Sequence, residues 1–266
     1  MFKKFKTIKK LILSITGYNN DEKHFFSSSV LKTLLQRGVF YNFISTFMQL
    51  NDLKNIEKIN FGKNKQNNHF DNVAEYNSSI LNDKIITTSR RFDLYYQFLT
   101  VPQRSLVDEK LLIVGPRNRA ELLTAWLHGF RWKNIFAIDL FSTNKKIIVM
   151  NMEKMTWKDN YFDNVVMSMT LSYAKNVESV IQEVSRILKD GGRFSFSQTT
   201  VMDGKRWESS KFNGKKIHNL LSKNGFSIKM HFPEHKVNSS LKKQTIHSFL
   251  AMKNEKKLKI VDDFKL

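Results

Sequence analysis

Hydrophobic and polar positions follow two regimes along this chain. Over the first hundred or so residues the apolar side chains recur at three- and four-residue steps, the spacing that lines one face of an α-helix. Phe2, Phe5, Ile8, Leu11, Ile12 and Ile15 form such a stripe, with Lys3, Lys4, Lys6, Lys9 and Lys10 between them. This describes an amphipathic basic helix, which either packs on its own domain or rests on an anionic membrane surface; a stripe at this spacing is more often core. A second helix is expected over 28–50, burying Leu31, Leu34, Leu35, Phe40, Phe43, Ile44 and Phe47. Residues 51–79, rich in Asn, Lys and Asp, read as a loop or linker. A further helix over 89–99 ends before Val101-Pro102, because the residue preceding a proline is disfavoured in helical geometry.

From Lys110 the regime changes to short apolar runs alternating with helical ones, the pattern of βαβ units and a parallel sheet. Strands are expected at 111–114, 134–138, 147–150, 164–169, 193–197, 226–230 and 246–252. Helices are expected at 120–128, closed by Gly129; at 177–189, stopped by Asp190-Gly191-Gly192; and near 215–222, ended by Asn224-Gly225. The organisation that results is a helical extension over 1–105, with its polar linker, followed by an α/β domain over 106–266.

Composition narrows the classes. The 266 residues are 41% hydrophobic and 12% aromatic, which places the chain among globular proteins. There is no cysteine, so thiolate metal sites and cysteine nucleophiles are excluded, and a reducing cytoplasm is the expected location. No apolar run approaches the roughly 18 residues that span a bilayer. The formal net charge of +20 raises the question of nucleic acid. The lysines, however, are scattered among abundant Asn and Ile, as codon bias produces, so nucleic acid is not the expected partner. His128, His218, His231, His235 and His247 show no paired spacing for zinc and no partnered serine, and no metal site is expected.

The candidate chemistry lies at strand ends. LLIVGPRNRAELLTAWLHGF is a strand, a tight turn and a helix start, the place where open α/β sheets bind ligands. The next strand ends in Asp139, 24 positions after Gly115, near the roughly 20-residue offset at which an acidic side chain holds a ribose. After the third strand comes Asn151-Met152-Glu153, then Met155, Trp157 and Asp159-Asn160-Tyr161-Phe162-Asp163. A helix follows, with Glu183 and Arg186-Ile187-Leu188-Lys189 leading into Asp190-Gly191-Gly192.

In this order and spacing the chain resembles the class I S-adenosylmethionine-dependent methyltransferases of the type 11 kind, strongly over 111–198 and more loosely through Ser222-Lys223-Asn224-Gly225-Phe226 and the last strand. The resemblance implies a Rossmann-like, seven-stranded, mostly parallel sheet with helices on both faces, and S-adenosyl-L-methionine as cofactor. It implies that Gly115, Pro116 and Arg117 approach the methionine part, that Asp139, followed by Leu140, holds the ribose, and that Asn151 and Met152 contact adenine. Ser168 would line the cofactor near its sulfonium, and Tyr173 is the one positional candidate on the acceptor side. The resemblance names no catalytic residue: methyl transfer needs alignment above all, and a base only where the acceptor must lose a proton, so a dedicated base is not required in every case. The acceptor it implies is a small molecule, a sugar or a lipid-linked precursor.

One departure keeps a second reading open. The family's first loop carries two or three glycines, whereas this loop reads Gly115-Pro116-Arg117-Asn118-Arg119, with Glu121 following as a nearby acid. Fewer glycines restrict close backbone approach, so an inactive fold relative serving as a binding or scaffolding module is the alternative. A third reading, an RNA methyltransferase, rests on charge alone.

Overall fold

The computed structural model describes residues 38–52, 57–58, 72–75, 99, 105–142, 144–201, 214–237 and 243–254. The basic stripe at 2–15 lies outside the described residues, as do 89–98 of the helix expected before Pro102. In chain order the elements are helix α1 (Gly38–Asp52), strands β1 (Glu57–Lys58) and β2 (Leu111–Val114), helix α2 (Arg119–Leu127), and strands β3 (Ile135–Asp139), β4 (Phe141–Ser142), β5 (Ile147–Val149) and β6 (Phe162–Met167). Helix α3 (Val177–Ile187), β7 (Leu188–Val201), α4 (Gly214–Lys223), β8 (Phe226–Val237) and β9 (Lys243–Lys253) follow.

The main sheet has seven strands in the order β5-β3-β2-β6-β7-β9-β8. The first five in that order are mutually parallel, and β9 runs antiparallel to both of its neighbours, so β8 again points with the majority. From β2 the chain steps outward through β3 to β5, then returns to the other side of β2 with β6 and β7. The reversal between β2 and β6 is the switch point at which a crevice opens beyond the carboxyl ends of parallel strands.

All four residues of β2 are buried, and their alternation divides the interior in two. Leu111 and Ile113 pack with Tyr41, Ile44 and Met48 of α1 and Leu122, Leu123 and Trp126 of α2. Leu112 and Val114 face the opposite side, with Val180, Ile181 and Val184 of α3 and Ile217 and Leu221 of α4. Helices therefore cover both faces, as the seven-strand pattern predicts.

Three local findings correct the sequence reading. First, α1 buries Tyr41, Ile44, Ser45 and Met48, while Phe40 and Phe43 are each 48% exposed. The hydrogen bond between the Tyr41 hydroxyl and Thr124 Oγ1, at 2.7 Å, turns that face toward α2. Leu31, Leu34, Leu35 and the Phe47 side chain lie outside the described residues. Second, the expected linker contains β1, which pairs antiparallel with β4, and a helical turn at 72–75. Third, α3 stops at Ile187, and β7 starts at Leu188 instead of 193. Phe162 pairs with Leu188 and Asn164 with Arg193, so residues 189–192 form a bulge against β6. Gly192 permits it, because a Cβ there would lie 2.7 Å from the Lys189 carbonyl oxygen.

A buried charge pair ties the start of β7 to the chain ahead of β2. Arg193 and Glu109 side chains are 4% and 8% exposed. The Arg193 guanidinium donates through Nη2 to Glu109 Oε2 and through Nη1 to the Leu99 carbonyl at 2.5 Å. Asn164 Nδ2 donates to the same Glu109 oxygen at 2.8 Å.

Candidate cofactor site

At the end of β2 the ladder continues one residue further, the Gly115 N–H donating to the Ile138 carbonyl at 2.9 Å. The chain then turns sharply. Gly115 has φ +72° and Arg117 φ +46°, and the Asn118 N–H donates to the Pro116 carbonyl, closing a γ-turn centred on Arg117. Asn118 next caps α2, its side-chain oxygen accepting from the Glu121 N–H at 3.2 Å. Gly115 makes room for Thr170: a Cβ at Gly115 would lie 2.5 Å from both Oγ1 and Cγ2 of that threonine. Thr170 Oγ1 is itself held within 3.2 Å of the Val114 carbonyl and 3.0 Å of the Ser168 carbonyl.

Asp139 joins this turn to the end of β3. Its Oδ1 accepts from the Leu140 N–H at 2.7 Å and its Oδ2 from the Arg117 N–H at 3.3 Å. The Met150 N–H donates to the Asp139 carbonyl at 2.8 Å, bringing the end of β5 alongside. Asn151 then starts a turn in which its side-chain oxygen accepts from the Glu153 N–H at 2.9 Å. Glu153 reaches across to the N–H groups of Lys175 and Asn176, at 2.5 and 3.1 Å, at the entry to α3.

The rest of this loop is held by α3. Glu183 Oε2 accepts from the Met155 N–H at 2.6 Å, and Arg186 donates to the Met155 and Trp157 carbonyls at 2.9 and 2.6 Å. Arg186 also pairs with Glu183 and Asp159. The Arg186 hydrogen bond holds the Glu183 carboxyl below the usual carboxylate range, and the same partnership raises the guanidinium above its own.

These elements enclose a cleft of about 510 Å³, counted to its open mouth, beyond the carboxyl ends of β2, β3 and β5. Gly115, Arg117, Asp139, Leu140, Asn151, Met152 and Tyr173, all singled out from sequence, lie on its wall. Pro116 is buried within the turn and does not line the cleft. Ser168 is fully buried behind it, and Thr170, two residues on, fronts the cleft in its place. Glu121 is likewise buried, on α2. Val114, Ile138, Met150, Thr170 and Val73 complete the wall, and the sequence motifs do not point to them. The alternation of β2 and β3 could have placed Val114 and Ile138. Val73 comes from the helical turn in the expected linker, where the sequence pattern carries no comparable signal.

The histidines add a feature that the sequence does not show. They are scattered in sequence, yet His218, His231 and His247 meet in space, with facing ring nitrogens 3.0 and 2.9 Å apart. Their arrangement is a chain, and among the described residues no three His, Cys, Asp or Glu side chains are grouped to hold a metal ion.

Comparison with known proteins finds the following likenesses. Residues 121–196 match the methyltransferase-domain family. An uncharacterized protein of Methanocaldococcus jannaschii is 33% identical over 84 residues, which are 30% of this chain and 33% of that protein. The match thus spans about a third of that relative's length. Among solved structures, a Listeria monocytogenes protein classed as an S-adenosylmethionine-dependent methyltransferase is 16% identical with a TM-score of 0.48, over 62% of this chain and 99% of the other. The phosphoethanolamine N-methyltransferase 2 of Haemonchus contortus, solved with phosphomonomethylethanolamine and S-adenosylhomocysteine, is 14% identical with a TM-score of 0.48, over 62% of this chain and 53% of the other. The strand order and the switch-point cleft give the class I methyltransferase fold, and within it residues 121–196 are similar to the methyltransferase-domain family.

Proposed function

We propose that this chain is an S-adenosylmethionine-dependent methyltransferase and that the switch-point cleft is its cofactor site. The observation that carries the reading is Asp139, a carboxylate on the cleft wall whose two oxygens are oriented by the N–H groups of Arg117 and Leu140. A carboxylate so placed suits a ribose diol, and the neighbouring Ile138, Leu140, Met150 and Met152 suit the flat apolar faces of a purine. Asn151 stands beside Met152, where a side-chain amide can read a purine edge. The donor set therefore fits the group the fold implies.

In this reading Asp139 binds and orients the ribose, Asn151 and Met152 fix the base, and the β2–α2 turn meets the amino-acid end. The bound cofactor supplies an electrophilic methyl carbon on a sulfonium. The chain's contribution is alignment and exclusion of water, with Thr170 and Tyr173 bordering the side from which an acceptor approaches. We take the acceptor to be a small molecule, a sugar or a lipid-linked precursor instead of nucleic acid, because the lysines are dispersed along the sequence. The absence of cysteine supports a cytoplasmic location. Among the described residues, no helix is long and apolar enough to cross a membrane.

A second reading, an inactive relative that serves as a binding module, is favoured by the single-glycine turn, in which the space beside Gly115 is filled by Thr170. Calorimetry on the full chain with S-adenosylmethionine and S-adenosylhomocysteine separates the two. Binding of at least one is expected, and no heat from either would overturn the assignment of the cleft.

A further inference from the structure

The β2–α2 turn engages its own backbone donors. The Gly115 N–H donates to the Ile138 carbonyl, the Arg117 N–H to Asp139 Oδ2, the Asn118 N–H to the Pro116 carbonyl and the Glu121 N–H to the carbonyl and side-chain oxygens of Asn118. Pro116 has no N–H to give. Beside Gly115 the space is taken by Thr170, whose hydroxyl is held against the Val114 and Ser168 carbonyls. A ligand that reaches this end of the cleft meets N–H groups already bonded within the turn, with little backbone left to hold an anionic group.

The Arg117 side chain is differently placed. Although its N–H is bonded to Asp139, its guanidinium has no hydrogen-bond or ion-pair partner among the described residues. Among the described residues that line the cleft, Arg117 is the one cation and Asp139 the one anion. Arg117 is half-buried there, and its backbone is in the left-handed region, with φ +46°. Glycine or asparagine adopts that region more readily than arginine does, so the local backbone does not by itself call for an arginine at 117. A residue held against its backbone preference on a cleft wall directs attention to what its side chain can do.

We infer, on the reading of the switch-point cleft as the cofactor site, that the Arg117 side chain and not the turn's backbone holds the carboxylate at the amino-acid end of the bound cofactor. Arg117 thereby sets the cleft's preference for a nucleoside that carries this carboxylate over one that lacks it. A guanidinium presents a planar fork of N–H donors that matches the two oxygens of a carboxylate. With Asp139 on the ribose diol and Ile138, Leu140, Met150 and Met152 around the base, the carboxylate is the anionic group left to be met, and Arg117 is the cation on the same wall.

A pyrophosphate-bearing ligand fits this end of the cleft less well. Pyrophosphate at a helix start relies on several free N–H groups, and here those of residues 117, 118 and 121 are engaged. A single guanidinium suits the single charge of a carboxylate better than the several charges of a diphosphate. Because Arg117 is partly open to solvent, salt should screen its attraction for the ligand.

The test is calorimetry on the full chain with S-adenosylmethionine and with its decarboxylated form, which keeps the base, ribose, sulfonium and ammonium and lacks only the carboxylate. Arg117→Asn removes the charge and puts at 117 a residue that adopts the left-handed region more readily, so the turn is kept. In this variant S-adenosylmethionine should bind about tenfold to a hundredfold more weakly, the scale for a lost hydrogen bond between charged groups. The decarboxylated form should bind as well as before or better, because a cation that repels its ammonium has gone. Arg117→Lys, which keeps the charge without the fork, should recover part of the loss for S-adenosylmethionine. Equal weakening of both ligands in Arg117→Asn, or S-adenosylmethionine binding unchanged, would overturn Arg117 as the anchor and leave the cofactor reading standing. Failure of the unaltered protein to bind either ligand would overturn that reading and the anchor with it.

Discussion

A single carboxylate, Asp139, connects the β2–α2 turn to the end of β3, and it is legible from sequence because a strand ending in an acid is a local pattern. Removing it with Asp139→Ala should weaken cofactor binding by about 1–3 kcal/mol, the scale for a lost partner to polar groups. Calorimetry reads this directly, and an unchanged affinity would show that the ribose lies elsewhere. Gly115 is a sharper case. Its φ of +72° and the 2.5 Å that would separate an added Cβ from Thr170 act together, so Gly115→Ala should cost about 2–6 kcal/mol in denaturant unfolding. Gly225, with φ +79° and nothing within 4 Å, is the control: Gly225→Ala should cost only about 1–2 kcal/mol. Equal costs at the two positions would mean that Thr170 yields easily. The sequence shows a glycine at both places. It does not show which one has a side chain packed against its missing Cβ.

Between elements, the clamp from α3 decides the shape of the loop after β5. Arg186 and Glu183 hold residues 155–159, and that loop begins at Asn151 and Met152 on the cleft wall. Arg186→Ala should therefore weaken cofactor binding at a distance, without touching the cleft. It should also return the Glu183 carboxyl toward its ordinary range, because the Arg186 hydrogen bond is the leading cause of its depression. The sign follows from linkage. A carboxyl held low when folded contributes stability that is full above the ordinary carboxylate range, near pH 4.3, and is lost as pH falls through its folded value. The unaltered protein should lose that increment on acidification, and Arg186→Ala should show a flatter stability curve over the same interval. The helices themselves are readable in the sequence, since α2, α3 and α4 have local apolar spacing and polar ends. The face of α1 is not, because Phe40 and Phe43 share helical spacing with Ile44, and contacts with distant elements, Tyr41 to Thr124 and Ile44 and Met48 against the α2 side of the core, select the other stripe. The three histidines, 13 and 16 residues apart, give no sign of meeting for the same reason: the pairing of β8 with β9 brings His231 and His247 together, and the packing of α4 on β8 brings His218 to them.

At the scale of the whole molecule, the Glu109 and Arg193 pair links Leu99, the approach to β2 and the start of β7. Glu109→Ala would leave the guanidinium charged and buried, so a loss of about 3–5 kcal/mol is expected in chemical unfolding. A loss below about 1 kcal/mol would mean that solvent reaches Arg193. The proposed packing of the basic N-terminal stripe on its own domain has its own measurement. The full chain should not co-sediment with anionic vesicles; sedimentation abolished by salt and by deletion of residues 1–16 would redirect the acceptor toward a membrane lipid.

The sheet order also sets a timetable for synthesis. β9, made after β8 and the last of the described strands, is the one that sits between β7 and β8, so β8 emerges with no place yet to pair. Because β8 and β9 pair from Phe226 with Lys253 through Val237 with Lys243, they can close into a hairpin first and then add to β7 as a unit through β9. Until residue 253 is made, the long β7 presents a bare edge, which is a template for pairing with other nascent chains. A chain stopped after residue 242 should therefore aggregate during translation, and supplying the β9 segment in trans as a peptide should restore solubility.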